Sequence, residues 1–373
     1  MDAGPGTKHG LEWELGWYEP RDTAGILALN REEYPGTALG EADYFEWLVH
    51  RNPMGEAILP VAREKETRMV VGFAMYTPMR MCRDGQPVPA LVGINTLVNR
   101  AYRRQGIHTC MLTSALEEGR RRHYPFFYAF PNTRSLPSLI DSHHHIVARV
   151  PLMVRPLDIA TLAAERVDNG ALRWGLTAAW RVAGSTLCRP RGPGRAGRRL
   201  RVVEDAHFDE GYDSLWARVK GKYRVMLARD RTYLEWRFRD IPQRQYQVLS
   251  AHHGSEMQGY IVLRDTDIRG TRVGLIADLL VLPGRAGTRA GLYLVQEAVR
   301  IFRDAGVPLS GGLMLPQAHE YAILRRGGYL PAPGALAPQQ FHLAVKSLTD
   351  GFLPDGLAKP RGWYVTAADH DAV

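Results

Sequence analysis

The sequence is poor in the features that mark export, metal binding and covalent catalysis. Its three cysteines, Cys82, Cys110 and Cys188, form no CxxC pair. Neither a disulfide framework nor a thiolate metal site is therefore expected, and a reducing, cytoplasmic setting fits. The stretch Met1–Gly10 is polar and glycine-rich, without the basic region and apolar run of a secretion signal, so no export is expected. Apolar runs such as Leu275–Leu282 are too short to cross a bilayer, and Asp278 interrupts that one, which argues against an integral membrane protein. No Gly-x-Ser-x-Gly nucleophile elbow occurs, and Cys110 falls inside an expected helix, where packing suits it better than nucleophilic work.

What is present is an ordinary globular composition, 45% hydrophobic and 23% charged, in a chain of 373 residues. That length exceeds what one core usually organises, so two domains are expected. The formal charge of +9 suggests anionic partners, but much of it comes from six arginines between Arg189 and Arg201, in a glycine- and proline-rich run that reads as a solvated tether. Just before it, Ala171–Leu187 carries an apolar stripe at helical spacing, expected to pack in a core.

The most informative feature is internal repetition. Tyr44-Phe45-Glu46-Trp47 matches Tyr233-Leu234-Glu235-Trp236 at an offset of 189. Gly72 and Phe73 match Gly259 and Tyr260, and Phe130, Pro131 and Asn132 match Leu315, Pro316 and Gln317, in the same order and at nearly the same spacing. One unit is therefore used twice. In the first copy, strands are expected over Ala57–Arg63 and Val70–Met79, with Asp84 and Gly85 as a hairpin turn leading to a central strand over Pro89–Val98. A helix over Gly106–Arg122 and a buried strand over Phe126–Phe130 follow, a right-handed crossover that implies an α/β unit with a mixed sheet. The second copy repeats this over Arg272–Leu282, Ala290–Ala305 and Leu309–Leu315.

The loop from Leu97 to Thr109 joins the central strand to the crossover helix, so its backbone amides stand at a helix N-terminus. Such ends hold phosphates, because unpaired N–H groups and the helix dipole favour anions. Gly106 allows close backbone approach, and Arg103 and Arg104 add charged donors.

Here the chain resembles the GNAT acyltransferase superfamily. Its cofactor loop is a Gln or Arg, two residues, Gly, one residue, then Gly or Ala; Arg103 and Gly106 fit, and His108 departs from the pattern. Asn132, after the returning strand, occupies the place of a family asparagine, and with the Tyr-x-Glu-Trp box it resembles two-lobed members of sugar-modifying and natural-product pathways. The resemblance implies a mixed-sheet α/β fold in two tandem lobes. It also implies a co-substrate, acetyl-CoA or another acyl-CoA, lying between two splayed strands. Leu97 and Val98 would offer backbone groups to pantetheine, Arg103, Arg104, Gln105, Gly106, Ile107, His108 and Thr109 would hold the diphosphate, and Asn132 would steady the arm.

The activity so implied is N-acyl transfer, most simply direct, from the thioester to a primary amine of a small molecule such as an amino sugar. The glutamate and tyrosine that many members use as base and acid are missing: the strand offers Asn95 and Thr96, and the tyrosine place falls on Leu139. Asn95 relaying a water, or His144 of the run His143–His145, are the candidate catalytic residues. Adjacent side chains diverge, so the three histidines are not expected to share a metal. In the second copy Thr288 aligns with Arg103, so phosphate binding there is doubtful. The expected division is a catalytic lobe over 1–155, a linker over 156–205 and a lobe over 206–373 that shapes the acceptor side or serves structure. Alternatives are a Fem-type transferase using aminoacyl-tRNA, a transferase taking its acyl group from an acidic acyl carrier protein, and a degenerate acyl-CoA-binding module.

Overall fold

In chain order the first copy, in this computed structural model, comprises β1 (Trp13–Trp17), α1 (Thr23–Glu33), α2 (Ala42–Val49), β2 (Pro60–Glu64), β3 (Val70–Arg83), β4 (Gln86–Val98), α3 (Ile107–Arg121), β5 (Phe126–Ala129), α4 (Leu136–Asp141) and β6 (His145–Val150). β7 (Leu152–Pro156) and α5 (Ile159–Arg166) follow. The second copy comprises β8 (Leu200–Glu204), α6 (Glu210–Val219), β9 (Val225–Leu227), α7 (Arg231–Phe238), β10 (Gln247–His253), β11 (Glu256–Ile268), β12 (Thr271–Val281), α8 (Gly284–Asp304), β13 (Leu309–Leu313), α9 (His319–Arg326), β14 (Leu330–Pro331) and β15 (Phe341–Ser347). The structure describes residues 12–166, 168–170, 173–175, 177–179, 200–268, 270–333, 340–349 and 358–369. Most of the expected stripe over 171–187, and the arginine run as far as Arg199, lie outside them.

The hairpin joining β3 to β4 turns where the dipeptide demands it. Asp84 and Gly85 take φ values of 48° and 81°, the pair of left-handed conformations of a type I′ turn, with Arg83 opposite Gln86. β4 then runs parallel to β5, joined by α3, whose Ile107, Met111, Leu112, Ala115 and Leu116 are buried against the sheet.

Both sheets are mixed, and helices flank them. The first has the order β1-β2-β3-β4-β5-β15-β6, with β9 added on β3; the second has the order β14-β7-β13-β12-β11-β10-β8. The first sheet thus contains two strands from the second copy, β9 and β15, and the second sheet contains β7. β7, which follows β6, pairs with β13 and β14, and β15, which follows β14, sits between β5 and β6. The sheets therefore do not divide where the expected boundaries fall. Leu152–Pro156 straddles the boundary at 155 yet belongs to the second sheet, as does Leu200–Glu204 of the expected linker, while Phe341–Ser347 completes the first. Only Pro151 separates β6 from β7, so the step from the first sheet to the second falls within one short connection.

The repeated Tyr-x-Glu-Trp boxes meet where the two units join. The Trp47 and Trp236 rings stack at 4.6 Å and 15°, and each indole N–H donates to the other's backbone carbonyl, at 2.9 and 3.4 Å. The reciprocity is that of a two-fold contact within one chain. Nearby, the fully buried Arg229 is held by Asp278 and Asp369, with Nη2 2.6 Å from Asp369 Oδ2 and Thr366 bridging the two carboxylates. This cluster pins the 363–369 segment under the second sheet, with Trp363 and Tyr364 1% exposed.

Candidate cofactor and acceptor cleft

β4 and β5 pair only as far as Gly93 and Ala129, while β4 continues to Val98, so the two parallel strands part beyond that point. A bulge lies at the same place. Gly93 and Thr96 on β4 face Tyr76 and Ala74 on β3, leaving an extra residue in β4 around Asn95. Past the bulge, Asn99 N–H donates to Val71 O, whereas the Val98 carbonyl accepts from Arg103 Nε at 3.1 Å. Antiparallel pairing alternates, so the Leu97 backbone is spent on β3 while Thr96 and Val98 turn theirs to the gap. The gap edge is thus Val98 with Thr96, and Leu97, 8% exposed, faces the core.

The loop after β4 ends at α3 with two residues in left-handed backbone, Arg104 (φ 66°) and Gly106 (φ 82°). Cys110 N–H bonds Gly106 O, but among the described residues the N–H groups of Arg104, Gln105, Gly106, Ile107, His108 and Thr109 have no partner. A Cβ on Gly106 would meet nothing within 4 Å, so the loop is open on the side a ligand would approach. These amides and the α3 dipole make an anion cradle. At its rim, Glu33 accepts from Arg103 (3.1 Å), Arg134 (2.9 Å) and Arg100 (3.4 Å). Burial works to raise the Glu33 pKa, but the hydrogen bonds and charge of these arginines bring it below the ordinary value.

Beside the gap opens a cleft of about 400 Å³. Asn95, His108 and Asn132 line it, with Tyr34, Tyr76, Thr96, Phe127, Leu139 and, from the second copy, Arg244. Asn132 Oδ1 accepts from the Arg134 and Ser135 N–H groups at 2.9 and 3.0 Å, which fixes its side chain at the start of α4. Asn95 is 5% exposed and donates from Nδ2 to Asn30 Oδ1 at 2.7 Å. His108 Nδ1 lies 2.9 Å from Ser138 Oγ, and burial lowers its pKa, so at neutral pH the imidazole is uncharged.

His144 is placed differently from the sequence expectation. It is 6% exposed, bonded through Nδ1 to Leu139 O at 3.0 Å and set edge-on to Phe127, behind two residues of the cleft wall rather than on it. Burial, then the Lys346 charge, pushes its pKa down to about 4, too low for an effective base near neutrality. His143 is in left-handed backbone at the end of α4, and His145 bonds Ala358 O at 2.6 Å. Sequence reasoning gave His108 to the diphosphate and missed it as the imidazole on the cleft wall. Its place at the second position of a helix facing α4 was the available signal.

In the second sheet the matching gap is filled by the chain itself. Val281 pairs with Gly259 as Val98 does with Gly72, but its carbonyl accepts from Lys222 Nζ at 3.0 Å and its N–H donates to Glu320 at 3.3 Å. Lys222 and Tyr223 both bond the fully buried Glu320, at 2.7 and 2.6 Å. Thr288, aligned with Arg103, bonds Gly284 O and His319.

No family model and no curated protein matches the sequence, but solved structures match over nearly all of it. A GCN5-related N-acetyltransferase from Anabaena variabilis superposes with a TM-score of 0.62 over 90% of this chain and 73% of its own, at 12% identity. The N-myristoyltransferase of Saccharomyces cerevisiae with bound myristoyl-CoA gives 0.59 over 92% and 84%, also at 12% identity. A GCN5-related N-acetyltransferase from Kribbella flavida gives 0.56 over 90% and 71%, at 14% identity. The chain has a two-lobed GNAT fold. The gap, loop and cleft all belong to the first sheet, and no group of His, Cys, Asp and Glu suited to a metal occurs among the described residues. Nor, among them, is any helix long and apolar enough to cross a membrane.

Proposed function

We propose that the protein is an acyl-CoA-dependent N-acyltransferase acting on a small-molecule amine. The observation that carries the reading is the run of partnerless amides from Arg104 to Thr109, opening beside a parted pair of parallel strands. The similarity to proteins titled as N-acetyltransferases and as a myristoyl-CoA complex supports it. The amides of Gln105–Thr109 hold the diphosphate, with Arg103 and Arg104 as charged donors. Arg103 exchanges its bonds to Val98 O and Glu33 for phosphate oxygens, and the pantetheine amide groups pair with Thr96 and Val98. Asn132 steadies the arm through its remaining amide protons.

The chemistry needs a neutral amine, a polarised carbonyl and a departing thiol. The amine nitrogen bonds to the thioester carbon, the C–S bond breaks, and the sulfur leaves with its electron pair and gains a proton from solvent. The proton lost by nitrogen passes to His108, neutral at working pH, with Asn95 at the bulge orienting the amine or a bridging water. The first sheet binds the donor, residues 206–333 supply the acceptor wall through Arg244, and the filled gap at Val281 supports a structural role for the second sheet. Acetyl-CoA and myristoyl-CoA, tested for thiol release with a panel of amines, distinguish the acyl group carried. A Gly106→Val variant, which forces a branched side chain into φ 82°, is expected to weaken coenzyme A binding at least tenfold in calorimetry. Unchanged affinity would reject the reading.

A further inference from the structure

Acyl transfer needs a hydrogen bond to the thioester carbonyl as its oxygen becomes negative, and neither His108, as proton acceptor, nor Asn95, as guide to the amine, supplies one. The cleft holds a further polar group. Tyr76, on β3, is 3% exposed and lines the cleft. Among the described residues its hydroxyl has no hydrogen-bond partner, nor is it sealed in the interior as the unbonded hydroxyls of Thr77 and Tyr128 are. The part of Tyr76 that reaches the cleft is therefore its phenol oxygen.

The strands set that oxygen at the closed end of the gap. Tyr76 stands opposite Gly93 on β4, and Gly93 opposite Ala129 on β5, the last pair before the parallel strands part. The bulge around Asn95 begins just after Gly93. On the other side, Tyr76 N–H donates to Ile58 O at 3.0 Å and Tyr76 O accepts from Ile58 N–H at 2.9 Å, which fixes the backbone. Directly opposed residues of an antiparallel pair point to the same face, so Tyr76 projects on the side where Gly93 has no side chain. A Cβ at Gly93 would lie 2.7 Å from Phe127 Cζ, and the Phe127 ring packs 5.5 Å from that of Tyr76, tilted by 54°. Glycine at 93 thus lets two aromatic rings meet over the strand where the gap begins. Pantetheine running along Val98 and Thr96 toward Gly93 brings its thioester end to that place.

We propose that the Tyr76 hydroxyl donates a hydrogen bond to the thioester carbonyl oxygen and stabilises the negative charge which that oxygen gains when the amine nitrogen bonds to the carbon. The inference rests on the acyl-transfer reading above and leaves its proton balance unchanged. The amine proton passes to His108, the sulfur takes its proton from solvent, and Tyr76 keeps its own. Burial raises the Tyr76 pKa, so the phenol stays protonated. A thiolate is a weaker base than a phenolate, so Tyr76 does not pass its proton to the departing sulfur. A donor held by strand pairing and ring packing needs no reorganisation when the charge appears, and its water-poor surroundings strengthen the bond.

The test compares the full chain with Tyr76→Phe, which removes only the hydroxyl. Coenzyme A affinity in calorimetry should be unchanged and the denaturant midpoint no lower, because the hydroxyl bonds nothing among the described residues. Acetyl-CoA isotope-labelled at the thioester carbonyl is then bound to each chain, and isotope-edited infrared spectra are compared. The carbonyl stretch should lie at lower frequency in the unmodified chain than in Tyr76→Phe, a reading that needs no acceptor amine. With an amine that the unmodified chain acylates, kcat should fall about 100-fold in Tyr76→Phe while KM for the donor stays constant. Equal carbonyl frequencies, or an unchanged kcat, would each overturn the inference alone. A Tyr76→Phe chain that no longer binds coenzyme A would assign the hydroxyl to the fold and overturn it too. Failure of coenzyme A to bind the unmodified chain would overturn the donor reading, and the inference with it.

Discussion

Replacing Leu343 by Ala should destabilise β5 and β6, two strands distant from it in sequence. Leu343 is 1% exposed on β15, which pairs with β5 from Ala344 opposite Ala129 to Ser347 opposite Phe126, and with β6 on its other side. Removing a buried leucine side chain costs about 2–5 kcal/mol, the spread depending on how far the site collapses. That corresponds to an opening constant raised about 30-fold to several thousand-fold. Hydrogen exchange read by mass spectrometry localises the loss. Amides of Phe126–Ala129 and His145–Val150 should exchange faster by that factor at the level of sub-global opening, ahead of those of Glu256–Ile268 and Thr271–Val281. The reciprocal change, Met153→Ala, empties a site 0% exposed on β7 and should loosen Leu309–Leu313 first. If Leu343→Ala instead accelerates exchange in the second sheet and spares β5 and β6, the strand exchange is refuted.

Three further outcomes follow from the same geometry. Trp47→Ala and Trp236→Ala should each cost about 3–5 kcal/mol in denaturant unfolding. Their double-mutant cycle should show coupling of about 0.5 kcal/mol or more, since each indole stacks on and donates to the other residue; strict additivity would deny the contact. Asp369→Ala strips one carboxylate from the fully buried Arg229 and should cost about 3–5 kcal/mol, whereas a loss under 1 kcal/mol would mean that the 363–369 segment is not docked there. The acyl-transfer rate should rise with pH through a His108 pKa below 6.5, because burial favours the neutral ring that accepts the proton. In His108→Gln that acid limb should vanish along with most of kcat; a limb that persists would assign the base elsewhere.

The mixed-sheet α/β fold was legible because it rests on local chemistry. The Asp84-Gly85 turn, the apolar spacing of α3 and the two Tyr-x-Glu-Trp boxes each say the same thing in one short stretch. Which sheet each closing strand joins was not legible, since nothing in the residues of β7 or β15 marks one sheet over the other. In the candidate site, Asn95, His108 and Asn132 stand on the cleft wall, because their positions follow from the strand, helix and turn that carry them. His144 was misplaced as a base for the opposite reason. Burial behind Phe127 and Leu139 is a property of the packed molecule that three adjacent histidines do not reveal. Arg244 was invisible for the same reason, since it reaches the first lobe's cleft from the second copy.

A crystal structure of the full chain with coenzyme A tests the central claim most directly. The account places the diphosphate on the amides of Gln105–Thr109 and the pantetheine along Thr96 and Val98, with Arg103 released from Glu33. Diphosphate bound at the start of α8, over Gly284–Thr288, or coenzyme A bound away from both, would contradict it.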